Sequence, residues 1–96
     1  MPKGHWIAQV TVNNAEMYPD YIRTAVPAFQ KYGGRFLARG GRYEAMEGEA
    51  RARNVIVEFD SFDQAVACYR SPEYQAAAAI RLRCADGEIV VVEGVE

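Results

Sequence analysis

Cysteine and histidine, the residues that build disulfide scaffolds and most metal sites, are scarce in this sequence. It has two cysteines, Cys68 and Cys84, and a single histidine, His5, in 96 residues. One widely spaced cysteine pair does not make a disulfide framework, and a zinc site needs three or four ligands. We therefore expect free thiols, no bound metal and no cofactor.

Long apolar segments are absent as well. No apolar run exceeds the five residues seen in 76–80, whereas a membrane-spanning helix needs about 20. The first residues lack the apolar core of a secretory signal. We expect a cytoplasmic protein that makes no use of the membrane.

A concentrated positive charge is the third missing feature. The net charge is -2, and the eleven basic residues are interleaved with thirteen acidic ones. The densest basic stretch, 35–42, is followed at once by Glu44, Glu47 and Glu49. Because nucleic-acid binders carry a basic patch or stripe, this distribution predicts that nucleic acid is not a partner.

The apolar pattern that is present predicts four strands and two helical regions in one domain, residues 1–96. Alternation and β-formers predict strands over 6–12, 35–39, 54–59 and 89–93, with a short extension over 42–46. Helical spacing predicts helices over 18–32 and over 62–83, the second broken at Ser71-Pro72. Asp86-Gly87 is predicted as a turn. The order β-α-β-β-α-β predicts an α+β, ferredoxin-like fold, an antiparallel sheet with helices on one face.

Side chains alternate across a strand, so each predicted strand presents two sets of residues. One set is almost entirely apolar, which places it under the helices: Trp6, Ala8, Val10, Val12, Phe36, Ala38, Val55, Val57, Phe59, Val90 and Val92. The other set has apolar centres with polar flanks, and its centres are Ile7, Leu37, Ile56 and Val91. An apolar middle with a polar rim is typical of an interface. The simplest partner is a second copy of the chain, which gives a homodimer.

Three separated segments then resemble one known family. Residues 27–41, 53–59 and 68–74 look like the family called domain of unknown function 1330, in the same order and across essentially the whole chain. The resemblance implies a dimeric α+β barrel, in which two ferredoxin-like units face each other through their sheets. It implies no function. Related barrel families include cofactor-free monooxygenases, haem-binding enzymes and ligand-sensing domains, and a role taken from them rests on fold analogy alone.

Arg39 and Glu58 are the first candidates for a ligand site. Both are predicted to project from the mixed face, where the arginine would hold an anion and the carboxylate would act as a base. The alternative is a cross-strand ion pair that completes the dimer interface. Asn54 lies at the rim of the same face.

Two tyrosines and the histidine complete the candidate ligand-binding residues. Tyr69 and Tyr74 flank the helix break, where helix ends leave room for a cleft, although packing of their rings is the alternative. His5 is a candidate base or haem ligand, with a purely structural role as the alternative.

These features leave three functions open. The first is a small cytosolic homodimer that binds a small molecule in a pocket of the α+β barrel. The second is a structural or interaction dimer without a ligand. The third is a cofactor-free monooxygenase, by fold analogy. The sequence does not decide whether the protein is an enzyme.

Overall fold

Four strands and three helices alternate along residues 2–96, the part of the chain that the computed structural model describes. They are β1 (Gly4–Val12), α1 (Tyr18–Lys31), β2 (Arg35–Arg39), β3 (Arg53–Phe59), α2 (Phe62–Arg70), α3 (Pro72–Cys84) and β4 (Ala85–Glu93). The strands form one antiparallel sheet in the order β2-β3-β1-β4. The predicted ferredoxin-like α+β fold is confirmed.

Serine residues set the starts of α2 and α3. The Ser61 hydroxyl accepts a hydrogen bond from the Gln64 backbone N–H at 3.0 Å. Ser71 caps α3 in the same way, accepting from the Tyr74 N–H at 3.1 Å, while its own hydroxyl donates to the Cys68 carbonyl at 2.7 Å. The extended backbone of Ser71 ends α2, and Pro72 can begin α3 because the first helical position needs no N–H donor.

β4 begins at Ala85, directly after α3, so the prediction of a turn at Asp86-Gly87 was wrong. Both residues are paired strand residues, with Gly87 opposite Val10. A Cβ atom at position 87 would collide with the backbone carbonyl oxygen of Gln9. The glycine is therefore required by the close approach of two strands rather than by a turn.

The two faces of β4 are also the reverse of those predicted. Trp6 lies opposite Val91 and Ile7 opposite Val90, and directly opposed residues share a face of the sheet. Val91 thus packs under the helices with Trp6, whereas Val90 is 55% exposed. The sequence IVVV contains no polar residue to mark which side faces water, so its phase is set only by pairing with β1.

β2 contains a second departure from simple alternation. The pairing with β3 shifts between Phe36 and Ala38, which places Ala38 opposite Ile56 and Arg39 opposite Val55. An extra residue at a β-bulge turns the following side chains to the other face. Ala38 therefore lies on the open face and not in the core. The predicted extension over 42–46 is wrong, because residues 40–52 form an irregular exposed loop.

The core lies between the sheet and the three helices, with Trp6 at its centre. The Trp6 ring contacts Tyr74 and Phe29 edge-on, with centroids 4.8 and 5.0 Å away. Its indole N–H donates to the Ala65 carbonyl at 2.8 Å. This bond satisfies the one polar group of a ring that is otherwise buried among apolar atoms. In residues 2–96 no helix is both long enough and apolar enough to cross a bilayer.

Candidate functional site

A cavity of about 40 Å³ lies between α1 and the helix-covered face of the sheet, and we call it the helix-side cavity. Its walls are mainly apolar and include Trp6, Val10, Ile22, Phe29 and Val55. Its polar lining comes from Tyr18, Tyr21, Arg39, Arg53 and Arg81. Aspartate and glutamate do not contribute to it. Apolar walls with a few polar groups are typical of small-molecule sites.

Each of the three arginines reaches the cavity from a different element. Arg39 follows the β-bulge, and its guanidinium carbon lies 4.0 Å from the centroid of the Phe36 ring. Arg53 opens β3 and lies 5.4 Å from the centre of the Tyr18 ring. Arg81 comes from the last turn of α3 and is only 7% exposed. Aromatic faces stabilise the first two guanidinium groups without neutralising them.

These three arginines have no acidic partner. None of the ion pairs among residues 2–96 includes Arg39, Arg53 or Arg81. The Nε atoms of Arg53 and Arg81 are buried and make no hydrogen bond. Since buried polar groups are nearly always hydrogen-bonded, two unsatisfied donors at one cavity single it out.

Two tyrosine hydroxyls meet beside the cavity. The oxygens of Tyr21 and Tyr74 are 2.9 Å apart, and Tyr74 is fully buried. Burial raises the pKa of both tyrosines, and the nearby positive charge of Arg81 opposes part of that rise. Both hydroxyls therefore stay protonated at neutral pH and are hydrogen-bond donors. Tyr69 packs on Tyr74, with ring centroids 5.4 Å apart, and is a wall of the core rather than of the cavity.

Glu58 lies on the other face of the sheet, which the helices leave uncovered and which we call the open face. Its carboxylate contacts Nε2 of His5 and a terminal nitrogen of Arg35, each at 3.2 Å. Hydrogen bonds from Arg35 and then His5 lower the pKa of Glu58. The predicted pairing of Arg39 with Glu58 is therefore wrong, because the β-bulge sends Arg39 to the helix side.

Asn54 stays at the rim, as predicted, in contact with the loop over 40–52. Its side-chain amide donates to the Arg51 carbonyl at 3.1 Å, and its backbone carbonyl accepts from Gly40 at 2.9 Å. Beside it, the loop and the open face enclose a broad polar hollow of about 500 Å³. Arg51 crosses this hollow with a two-pronged ion pair to Glu88, both bonds 2.9 Å long. Its positive charge is thus already compensated.

The sequence-predicted candidates do not form one site. Arg39 and Tyr74 lie at or beside the helix-side cavity, whereas His5 and Glu58 lie together on the open face. Four polar residues of the cavity were not among the predicted candidates, namely Tyr18, Tyr21, Arg53 and Arg81. One signal was available: Arg81 falls on the same helix face as the buried residues Tyr74, Ala77 and Ala78, so helical spacing already placed a charge toward the core.

A resident metal is not suggested by the described side chains. In residues 2–96, no three histidine, cysteine, aspartate or glutamate side chains are close enough to share an ion. Both cysteines are buried, and burial raises the pKa of Cys68 to about 12. A thiol with so high a pKa is neither a good nucleophile nor a good metal ligand at neutral pH.

Solved structures of several proteins share this fold. A protein of unknown function from Rhodopseudomonas palustris has a TM-score of 0.80 at 22% identity, and the match covers 99% of this chain and 84% of that one. SnoaB, a cofactor-independent oxygenase from Streptomyces nogalater, has a TM-score of 0.68 at 12% identity, covering 100% and 96%. A dimeric ferredoxin-like protein of unknown function from Thermobifida fusca has a TM-score of 0.54 at 20% identity, covering 96% and 91%.

At these identities the structural likenesses establish the fold and nothing more. No curated protein sequence matches the chain. The family model described as a domain of unknown function, DUF1330, matches residues 3–95. That match spans every strand and helix, including the bulged β2 and the capped break between α2 and α3. The chain therefore belongs to the DUF1330 family of domains of unknown function.

Proposed function

We propose that the protein is a homodimer that binds a small organic molecule in the helix-side cavity of each subunit. The observation that carries the proposal is the composition of the cavity. It joins apolar walls to two buried arginine donors, the Nε atoms of Arg53 and Arg81, that have no hydrogen-bond partner in the described chain. Ordinary core packing leaves few buried donors unsatisfied, whereas a binding site keeps them for its ligand.

The open face supports the dimeric part of the proposal. Ile7, Val90 and Val92 share this face and are 37%, 55% and 44% exposed. Charged residues surround them, including Glu58 and Arg35 at one end. A contiguous apolar patch with a polar rim is typical of a surface that meets a partner. The Thermobifida fusca neighbour is described as dimeric with the same fold.

Native mass spectrometry of gently purified full-length protein tests the proposal. We expect the mass of a dimer together with a discrete extra mass that denaturation releases. Ala8 lines the cavity from β1, so Ala8→Val narrows it and is expected to lower the retained mass. Ala67→Val, at an exposed site on α2, is the matched control and should retain the ligand. A monomer would overturn the dimer, and a clean dimer would count against binding.

An interaction dimer without a ligand is the second candidate. The size of the cavity favours it, because about 40 Å³ is far below the roughly 300 Å³ at which typical ligand pockets begin. If the protein is such a dimer, native mass spectrometry would give the mass of the dimer with no extra mass. Its melting temperature would also stay the same with every member of a library of small neutral and charged molecules. The binding proposal predicts instead that a molecule which binds raises the melting temperature.

A cofactor-free oxygenase is a third candidate, favoured by the fold shared with SnoaB and by the paired Tyr21 and Tyr74 hydroxyls beside the cavity. Such hydroxyls would donate hydrogen bonds to a substrate oxygen on which negative charge develops. Oxygen consumption with a panel of electron-rich quinols tests this candidate. A flat oxygen trace across the panel, with no difference from buffer, would contradict it.

A further inference from the structure

We propose that the ligand of the helix-side cavity is a small carboxylate with an apolar body, held through its charge by Arg81 and Arg53. This inference rests on the proposed function, which leaves the chemistry of the ligand open. It follows from four properties of the cavity: its charge, the burial of that charge, the shape of the donors and the available volume.

The charge of the cavity is positive and uncompensated. Three guanidinium groups line it, and aspartate and glutamate are absent from the lining. Arginine keeps its proton at any physiological pH, so these groups stay charged and keep the free-energy cost of removing a charge from water. A cavity of this kind attracts anions and repels cations.

Because Arg81 is buried, a bound anion would offset the free-energy cost of its charge. The residue is 7% exposed, and its Nε has no hydrogen-bond partner. A buried charge without a partner costs several kcal/mol, so such groups are ordinarily paired. The carbonyl ends of α3 offer a weak favourable dipole to a cation in the last turn. That dipole leaves the Nε donor unsatisfied, and an anion in the cavity would satisfy it.

The shape of the donors and the apolar walls together select among anions. A guanidinium group is planar and presents parallel N–H donors that match two oxygens of a carboxylate or of a phosphate. The rest of the lining is apolar, with Phe29 and Ile22 from α1 and Val55 from β3. A fully hydrated inorganic anion would gain nothing from these walls, whereas a carboxylate with a hydrocarbon body fills both parts of the cavity.

The volume limits the size of that body. About 40 Å³ accommodates roughly three water molecules, at about 10–15 Å³ for each. A three-carbon branched group is about the largest body that matches this space, with its carboxylate at the arginines, whereas a fused aromatic system does not fit unless the walls move. Isobutyrate is thus a suitable probe, and isobutyramide is its neutral counterpart of nearly equal size and shape.

Amide NMR titration of the full-length protein with these two probes tests the inference. We expect isobutyrate to shift the backbone amide signals of Ala25, Val55 and Val57, which line the cavity, in a saturable manner. Isobutyramide should bind about tenfold or more weakly, since it lacks the charge that strengthens the hydrogen bonds. Arg81→Gln should weaken isobutyrate binding to the level of the amide.

Arg83→Gln is the matched control, because Arg83 lies on the same helix turn but is exposed. It should bind isobutyrate as the unmodified protein does. The spectrum itself reports whether Arg81→Gln is folded. If that variant unfolds, Arg53→Gln replaces it, with the same expected loss of preference for the carboxylate.

Four results would overturn the inference. Three concern selectivity: equal affinity for the two probes, an undiminished preference for the carboxylate in the folded variant, and equally strong shifts with inorganic phosphate. The fourth is an absence of cavity shifts with every probe. The broader proposal is judged separately, because a neutral molecule retained in native mass spectrometry would sustain binding while contradicting the choice of a carboxylate.

Discussion

The two faces of this sheet treat arginine in opposite ways. On the open face, Arg35 pairs with Glu58 at 3.2 Å, and Arg51 pairs with Glu88 at 2.9 Å. On the helix side, Arg53 and Arg81 each keep a buried Nε with no partner. Charges are therefore neutralised on the open face, where an unpaired charge costs little free energy. They are left without acidic partners on the buried face.

This difference distinguishes the open face, a proposed contact surface, from the helix-side cavity, a proposed ligand site. Exposed ion pairs add little to stability, but they leave the open face nearly neutral, which favours the proposed contact with a second copy of the chain. An unpaired guanidinium in the core lowers the stability of the free protein. Such a cost is typical of functional sites, where local features conflict with the optimum for folding alone.

The largest expected effect contrasts two neighbours on β1. Trp6 is 2% exposed on the helix side, and Ile7 is 37% exposed on the open face. Trp6→Ala should lower the free energy of unfolding by about 3–5 kcal/mol through lost burial and an unfilled cavity. Ile7→Ala is the comparison and should lower the free energy of unfolding of the isolated subunit by less than about 1.5 kcal/mol, because the side chain is partly exposed there. Urea denaturation at protein concentrations low enough to keep the subunits apart measures both, and similar losses would contradict the assignment of the two faces.

The next effect concerns assembly. Val90→Glu places a charge on the open face, midway along the edge strand β4, so we expect the proposed dimer to dissociate with a dissociation constant at least about a hundredfold higher. Leu82 is 73% exposed on α3, away from the sheet, and Leu82→Glu is the matched control. Sedimentation equilibrium distinguishes the outcomes. A Val90→Glu protein that remains a tight dimer would show that this face is not the interface.

A substitution at Arg81 is expected to have a smaller effect, and to stabilise the protein where most substitutions of buried residues destabilise it. Replacing an unpaired buried charge by an apolar side chain removes its desolvation cost, so Arg81→Met should raise the free energy of unfolding of the ligand-free protein by about 1–2 kcal/mol. Arg83→Met, at the exposed neighbour, should stay within about 0.5 kcal/mol of the unmodified protein. If Arg81→Met lowers the free energy of unfolding and Arg83→Met does not, Arg81 is a structural residue.

The smallest effect is the pH dependence of the open face. Arg35 and His5 lower the pKa of Glu58 in the folded chain, so their stabilisation is present above the ordinary carboxyl pKa. It is lost as the pH falls through the lowered value. Arg35→Met should move the titration midpoint of Glu58, followed by NMR, back toward that of an ordinary glutamate. Arg70→Met, an exposed change on α2, should leave the midpoint where it is.

Local signals in the sequence were enough to predict most of the architecture. The helix start at Ser61, the break at Ser71-Pro72 and the order of strands and helices all depend on residues close together in the chain. The apolar centre of the open face was predicted too, although its member on β4 is Val90 rather than Val91. A run of four β-branched residues carries no information about its own phase.

The candidate site depended on longer-range events. Arg39 lines the helix-side cavity, but its predicted partner Glu58 does not, because a β-bulge between Phe36 and Ala38 turns Arg39 to the helix side. Arg53 and Arg81 are 28 positions apart in the chain, at 53 and 81, and share a cavity only after the sheet and α3 pack. No spacing rule links residues on such separate elements.

The sequence by itself therefore determined the β-α-β-β-α-β order, the helix boundaries and the apolar stripes of the helices, because propensity, capping and periodicity act over a few residues. Only the tertiary structure decided which face each strand turns inward and which arginines are left without acids. Those outcomes depend on strand register and on the packing of distant elements. One extra residue in β2 is enough to move the side chains that follow it to the opposite face of the sheet.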